Sequence, residues 1–333
     1  MDLNTLWFIL ITVLFTGFFL LEGFDYGVGM LLPFLSREED RRMAIRAIAP
    51  VWDGNEFWMI TAGGALFAAF PHAYATMFSA FYIALFLMLF ALILRGAGLE
   101  MRNKDDSRLW RRGFDWAIGI GSALPAILWG VAVTNLLAGI PIDSHMIYCG
   151  TFTTLLTPYT LFGGLAFLLV FLYHGMAFLR MRVDDERMTD DLTFAQRFVG
   201  TLAAFAFIIC AVLTLKDTDM IASIPAVLAL VLAAGTFLLG CAFSGTGAVG
   251  KSFAMTSAAV AFTTIAFFLA LFPRIMVSTM GTGNDITIYN AASTPYTLQI
   301  MTIAAFILVP IVLCYQAWSY YIFRKRVTRE DVL

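Results

Sequence analysis

The stretch "LWFILITVLFTGFFLLEGFDYGVGML", residues 6–31, decides the fold class of this chain. Its first charged residue is Glu22, so sixteen uncharged and mostly apolar residues come before it. A helix needs about 20 apolar residues to cross roughly 30 Å of hydrocarbon. The run has no basic segment before it and no small-residue cleavage site, which predicts a retained helix and not a cleaved signal. With 60% hydrophobic and 13% charged residues, the whole chain is typical of an all-α integral membrane protein.

Eight further segments of the same kind follow, so we predict nine transmembrane helices. They cover residues 6–34, 50–71, 75–98, 113–137, 158–181, 198–215, 221–242, 252–273 and 297–323. Longer connections separate a first group of four helices within 1–137, a second group within 158–273 and a last helix at 297–323. All of them belong to one predicted membrane domain, residues 1–333.

The distribution of basic residues predicts the orientation of these helices. If the N-terminus lies outside, all 21 Lys and Arg residues except Lys216 and Arg274 fall in inner connections or in the C-terminal tail. Basic residues concentrate on the cytoplasmic side of membrane proteins. We therefore predict an outer N-terminus and a cytoplasmic C-terminus. The net charge of −2 gives no sign of nucleic-acid binding, and the four scattered cysteines indicate neither a disulfide framework nor a zinc site.

Ionisable residues inside the predicted spans mark the candidate site, because burying them in a membrane is costly. Successive helices run in opposite directions, so positions late in one span and early in the next lie at the same depth. This places six side chains from four helices near the cytoplasmic face: Glu22, Asp25, Asp53, Glu56, Arg95 and Asp115. We expect them to form one ionisable layer.

Four of these acids form two pairs with a spacing of three residues, Glu22 with Asp25 and Asp53 with Glu56. Each pair projects from one side of its helix. Two carboxylates close together in a low dielectric cannot both ionise cheaply, so one of them is expected to hold a proton. This favours a proton relay. The glycines in "EGFDYGVGM" and "TAGGA" would let the helices approach closely.

A structural role is the alternative for the charged residues. Acids in the first turn of a helix interact favourably with its dipole, and Asp115 fits that interpretation well. An acid beside Arg95 could likewise form an ion pair at the membrane boundary. Trp52 is expected in the interfacial aromatic belt.

The three histidines leave the question of haem ligation open. His72 and His145 lie in outer connections, and His174 lies within the fifth predicted span. A ligand role for His174 competes with a hydrogen-bonded packing role and with a polar relay role. Covalent haem attachment is excluded, because the sequence has no C-x-x-C-H motif.

Four stretches of the first 141 residues resemble subunit II of the bacterial cytochrome bd ubiquinol or menaquinol oxidases. They are "EGFDYGVGML" at 22–31, "IAPVWDGNEFWMITAGGALFAAFP" at 48–71, "FDWAIGIGSALP" at 114–125 and "NLLAGIP" at 135–141. The resemblance implies a heterodimeric quinol:oxygen oxidoreductase of the inner cell membrane that reduces oxygen to water and generates a proton motive force. It also implies two four-helix bundles plus one peripheral helix. Subunit I would carry haem b, haem d and the quinol site, with no haem ligand from this chain, and small accessory subunits stay possible.

The same resemblance assigns roles to individual residues. The acid that follows Trp52 in the W-D-G-N motif, Asp53, would belong to a proton route from the cytoplasm toward haem d. Asp25 and Arg95 match other characteristic positions of the family, while the role of Glu22 stays open. Glu22, Asp25, Asp53 and Glu56 are therefore the predicted proton pathway, with Arg95, Asp115 and Trp52 in ion-pair or structural roles. No catalytic or metal-ligating residue is expected in this chain.

Two other classes of function compete with the oxidase subunit. Nine helices with acids on one side could form a proton-coupled secondary transporter, although transporters usually hold their substrate near the midplane. A membrane scaffold without a proton role is the third possibility. The position of the charges at the cytoplasmic boundary favours the oxidase over the transporter.

Overall fold

A computed structural model describes residues 2–332 of the chain. Eleven α-helices make up most of this part of the protein. They are α1 (Leu3–Leu31), α2 (Glu38–Ile48), α3 (Trp52–Ala69), α4 (Pro71–Ala80), α5 (Tyr82–Met101), α6 (Arg108–Ala138), α7 (Pro158–Arg182), α8 (Glu186–Asp217), α9 (Ile224–Gly245), α10 (Val249–Leu271) and α11 (Pro295–Ile322). Four short strands lie in the connections: β1 (Val183–Asp184), β2 (Arg274–Met276), β3 (Ile286–Thr287) and β4 (Val327–Thr328).

Eight helices of the described residues are long and apolar enough to cross a membrane, namely α1 and α5 to α11. The second predicted span corresponds to α3, which has 18 residues and carries Asp53 and Glu56 in its first turns. With these acids, the 18 residues of α3 are not apolar enough to be counted among the eight. Its length of about 27 Å nevertheless approaches the thickness of the hydrocarbon layer. The count of nine spans therefore stays a prediction.

Two boundaries differ from the sequence-based expectation. The third predicted span, 75–98, contains a break at Phe81, where α4 ends and α5 begins. The predicted connection 182–197 is mostly helical, because α8 already begins at Glu186. Asp185 caps this helix by accepting a hydrogen bond from the Met188 amide at 2.8 Å. Polar residues therefore extend α8 beyond its apolar part.

Helix α1 lies at the centre of the fold and packs against α3, α6, α7 and α10. Its closest approach is to α7, where Gly27 meets Gly175. A methyl group added at Gly27 would lie 2.1 Å from the Phe171 carbonyl oxygen and 2.7 Å from the Gly175 Cα. Only glycine permits this backbone contact. Because α1 packs against helices of both predicted groups, it ties them together, and the division into two four-helix bundles stays a prediction.

Helix α11 lies at the periphery, and Leu298 is its one buried residue. It packs against α1 and α3. Near its start, Trp7 Nε1 donates a hydrogen bond to Thr302 Oγ1 at 3.0 Å. Beyond its end, β4 pairs in parallel with β1, and Arg326 forms an ion pair with Asp184 at 2.8 Å. Both ends of α11 are thus tied to other parts of the chain.

Candidate functional site

Arg95 joins three helices at the predicted cytoplasmic level. This α5 residue is fully buried, and its Nη1 donates hydrogen bonds to Glu22 Oε1 of α1 and to Glu56 Oε1 of α3, the latter at 2.9 Å. Gly121 of α6 makes room for it, since a Cβ there would lie 2.9 Å from the Arg95 Cβ. Of the six groups predicted to form one ionisable layer, Glu22, Glu56 and Arg95 thus make direct contacts.

Asp25 extends this group toward the peripheral helix. It is fully buried, and its Oδ2 accepts a hydrogen bond from Asn55 Nδ2 at 2.6 Å. Asn55 Oδ1 in turn accepts hydrogen bonds from Tyr320 at 2.8 Å and from Gln316 at 3.3 Å, both on α11. We refer to Glu22, Asp25, Asn55, Glu56 and Arg95 as the Arg95 cluster.

Sequence reasoning missed three members of this arrangement: Asn55, Gln316 and Tyr320. Asn55 lies between the two acids of the W-D-G-N-E stretch, and Gln316 is an amide that follows the long apolar part of α11. The sequence did indicate that Asn55 and Gln316 form hydrogen bonds, because a neutral polar residue in a membrane span needs a hydrogen-bond partner. The signal did not show which helix supplies that partner.

Two aromatic rings flank the Arg95 guanidinium. Its central carbon lies 5.0 Å from the centre of the Tyr26 ring and 5.8 Å from that of the Trp52 ring. Cations are attracted to aromatic faces at such distances. Trp52, expected in the interfacial belt, is thus half-buried beside Arg95 and helps to hold the guanidinium in place.

Asp53 lies outside the Arg95 cluster. It is exposed in the first turn of α3, and no hydrogen bond or ion pair of its side chain occurs among residues 2–332. Glu56, one turn later, faces inward toward Arg95 while 20% of its side chain stays exposed. The two acids therefore lie at the edge of the cluster, one facing outward and one facing inward.

Asp115 belongs to a different network on the predicted cytoplasmic face. It accepts a hydrogen bond from Arg102 Nε at 2.6 Å, and Arg41 Nε lies 3.6 Å from its other oxygen. Arg102 also binds Glu38 of α2 through both terminal nitrogens, at 3.0 and 3.1 Å. Burial opposes ionisation of Glu38, but the hydrogen bonds and positive charges of Arg102, Arg111 and Arg42 together outweigh it, so the pKa of this carboxyl lies below its usual value. The geometry agrees with a structural ion-pair role for Asp115.

His174 is fully buried on α7, and its ring stacks on Phe253 with ring centres 4.8 Å apart. Its Nε2 lies 3.1 Å from the Leu20 carbonyl oxygen, and its Nδ1 lies 2.9 Å from Thr256 Oγ1. Because a carbonyl only accepts, Nε2 must donate, which leaves Nδ1 to accept from the threonine. Both ring nitrogens are therefore engaged, and this arrangement does not fit a haem ligand. The described part of the chain holds no group of three or more His, Cys, Asp or Glu suited to a metal ion.

The sequence model of the family "Cytochrome bd terminal oxidase subunit II" matches residues 3–323. The chain belongs to this family. It is 40% identical to the "Cytochrome bd ubiquinol oxidase subunit 2" of Bacillus subtilis (strain 168), over 99% of this chain and 98% of that protein. It is 36% identical to the "Cytochrome bd-I ubiquinol oxidase subunit 2" of Escherichia coli (strain K12), over 99% and 96%. The bd oxidase structure from Geobacillus thermodenitrificans matches with a TM-score of 0.75, covering 98% of this chain and 100% of that one. At 16% identity, this match shows the fold alone.

The resemblance noted in the first 141 residues thus extends along nearly the whole chain, and the transporter is not favoured. As a cytochrome bd oxidase subunit II, the protein is a multi-pass membrane protein and part of a quinol oxidase complex, an oxidoreductase. Membership also implies a partner, subunit I, that carries the haems. This agrees with the engaged ring of His174.

Proposed function

We propose that this chain takes up protons from the cytoplasm through the Arg95 cluster and passes them to subunit I, where haem b and haem d carry out quinol oxidation and oxygen reduction. Reduction of oxygen to water consumes one proton per electron. Uptake of these protons from the cytoplasm, with release of the quinol protons on the outer side, makes the reaction electrogenic. The observation that carries the proposal is a set of three carboxylates around a single buried guanidinium.

The charge balance of the cluster supports a bound proton. Among residues 2–332, Arg95 is the one cation within 4.0 Å of a Glu22, Asp25 or Glu56 oxygen. One positive charge cannot neutralise three carboxylates, and uncompensated charge in a low dielectric is very unfavourable. The cluster therefore holds at least one proton. Glu22 Oε2 and Asp25 Oδ1 are buried without a hydrogen-bond partner, so they are the atoms that could carry it.

A gradient of exposure runs through the acids. Asp53 is exposed, Glu56 is partly exposed, and Glu22 and Asp25 are fully buried. Within each pair, a spacing of three residues keeps the carboxylates on neighbouring parts of the helix surface. A proton can thus enter at Asp53, move to Glu56 and reach the buried pair beside Arg95. With nine spans and an outer N-terminus, the entrance of this route lies on the cytoplasmic side.

The exposed face of α3 is the surface we propose for subunit I. Phe57, Ile60 and Phe67 on this helix are 55–60% exposed. Asp53 is exposed on the same short helix, and a carboxylate facing acyl chains is costly. A partner packed over α3 would shield Asp53 from lipid and would lie beside the helix that carries Asn55 and Glu56 of the Arg95 cluster.

The test uses the intact complex with subunit I. Asp53→Asn is expected to lower quinol-dependent oxygen consumption several-fold while the haem absorbance per complex stays unchanged, because the substitution removes a proton carrier without disturbing a contact. Asp190→Asn, at an exposed position on α8, is the matched control and should retain full activity. Equal oxygen consumption and equal proton uptake in both variants would remove Asp53 from the route.

A further inference from the structure

Arg180 is a buried cation without an acidic partner. It lies near the end of α7 and is 3% exposed. Its Nη1 donates to Gln196 Oε1 at 2.6 Å and to Ser244 Oγ at 2.7 Å, both neutral groups. None of the ion pairs among residues 2–332 includes Arg180. Buried charges are normally paired, so this guanidinium lacks the anion that would balance it.

A cavity of about 460 Å³ opens between α8 and α9, beside the Gln196 and Ser244 side chains that accept hydrogen bonds from Arg180. Gln196 and Ser244 line one end, together with Arg197, which is exposed and also takes part in no ion pair of the described residues. The Gln196 side-chain nitrogen is buried without a hydrogen-bond partner. This end of the cavity therefore combines one cation, Arg197, with an amide donor that has no partner, and the Arg180 guanidinium lies behind Gln196 and Ser244. A guanidinium beside an amide donor is a combination that recognises a phosphate or another oxyanion.

The other end of the cavity is apolar and faces the lipid. Ala204, Phe205, Ile208 and Leu238 line it, and the last three are 44–63% exposed. From Gln196 to Ile208 the helix rises about 18 Å, which is close to half of the hydrocarbon thickness. A groove with a cationic end near the boundary and an apolar end near the midplane matches the shape of one phospholipid in one leaflet.

We propose that this groove binds one anionic phospholipid. Its phosphodiester contacts Arg197 and the free Gln196 amide, with the charge of Arg180 behind them. One acyl chain lies along Ala204, Phe205 and Leu238. The bound lipid supplies the missing negative charge and fills the space between α8 and α9. In the proposed orientation of the chain, the lipid belongs to the cytoplasmic leaflet, where anionic headgroups attract basic residues.

The test is native mass spectrometry of the detergent-purified complex with subunit I, titrated with phosphatidylglycerol and, in parallel, with phosphatidylcholine. One phosphatidylglycerol per complex is expected to bind with clear preference over phosphatidylcholine. Arg197→Gln should weaken this binding about tenfold, since it removes a charge-assisted hydrogen bond. Arg187→Gln, at an exposed position on the same helix, makes the same charge change outside the cavity. The complex with this variant should bind phosphatidylglycerol with the affinity of the unmodified complex.

A second variant tests the apolar end. Ala204→Phe fills the groove without changing its charge and is expected to weaken phosphatidylglycerol binding as well. Equal binding of the two lipids, or equal affinity of the Arg197 and Arg187 variants, would overturn the proposal. Competition by inorganic phosphate, combined with unchanged binding in Ala204→Phe, would identify a phosphate site without a lipid and would overturn it equally.

Discussion

Replacing Arg95 by Gln should destabilise the protein strongly, because it removes the one cation that holds Glu22 and Glu56. Both Arg95 and Glu22 are fully buried. Breaking such a pair by deleting one partner leaves an uncompensated buried charge, which costs roughly 3–5 kcal/mol. The glutamine amide can still donate hydrogen bonds, but it supplies no positive charge. We therefore expect Arg95→Gln to lower the free energy of unfolding by an amount near that range.

The double variant Arg95→Gln/Glu22→Gln distinguishes the destabilisation caused by an uncompensated charge from the destabilisation caused by altered packing. It removes the buried carboxylate together with its cation, so the free energy of unfolding should be only about 1–2 kcal/mol below that of the unmodified protein. This is the cost expected from an imperfect hydrogen-bond network. The assay is thermal denaturation of the detergent-purified complex at one fixed scan rate, followed by haem absorbance. A midpoint several degrees lower in the single variant, with partial recovery in the double variant, is the expected pattern. If the single variant melts with the unmodified protein, or if the double variant melts below the single one, the charge argument for Arg95 is wrong.

Three further substitutions test other contacts. Tyr320→Phe removes one of two donors that fix Asn55 and should lower quinol-dependent oxygen consumption a few-fold, whereas Tyr321→Phe, on an exposed side chain, should not. Gly27→Ala should reduce the yield of assembled complex, since its methyl group would overlap α7, while Gly235→Ala on α9, with no atom within 4 Å, should assemble normally. The lowered pKa of Glu38 means that its ion pair stabilises the protein above the usual glutamate pKa and is lost as the pH falls through the lowered value. Glu38→Gln should therefore lessen the drop in melting temperature on acidification from pH 7 to 4.

The depth of the charged residues could be predicted from the sequence because it follows from simple geometry. Helices alternate in direction and rise 1.5 Å per residue, so late positions in α1 and early positions in α3 fall at one level. That reasoning predicts Glu22, Glu56 and Arg95 at one depth, and their side chains make direct contacts. It did not show that Asp115 belongs to a network other than the Arg95 cluster. The partner of Asp115, Arg102, lies in the short connection after α5 and not in a span.

The rotation of each helix could not be predicted. A spacing of three residues leaves two side chains about 60° apart around a helix. That angle is enough for Glu56 to face Arg95 while Asp53 faces outward, and packing alone decides which of the two turns inward. The hydrogen-bond partners of Asn55 could not be predicted from the sequence for a related reason. Gln316 and Tyr320 lie more than 260 residues later in the chain, on a helix whose docking position no local pattern reveals.

The central claim is that protons pass from the cytoplasm through Glu56 and the Arg95 cluster. The most direct measurement is time-resolved proton uptake by the fully reduced complex after mixing with oxygen, followed with a pH-indicating dye on the cytoplasmic side. Glu56→Gln is predicted to slow the uptake at least about tenfold, since one positioned proton-transfer group typically contributes about 10²–10⁴-fold, and to delay oxygen reduction with it. Uptake by this variant at the rate of the unmodified complex would contradict the account.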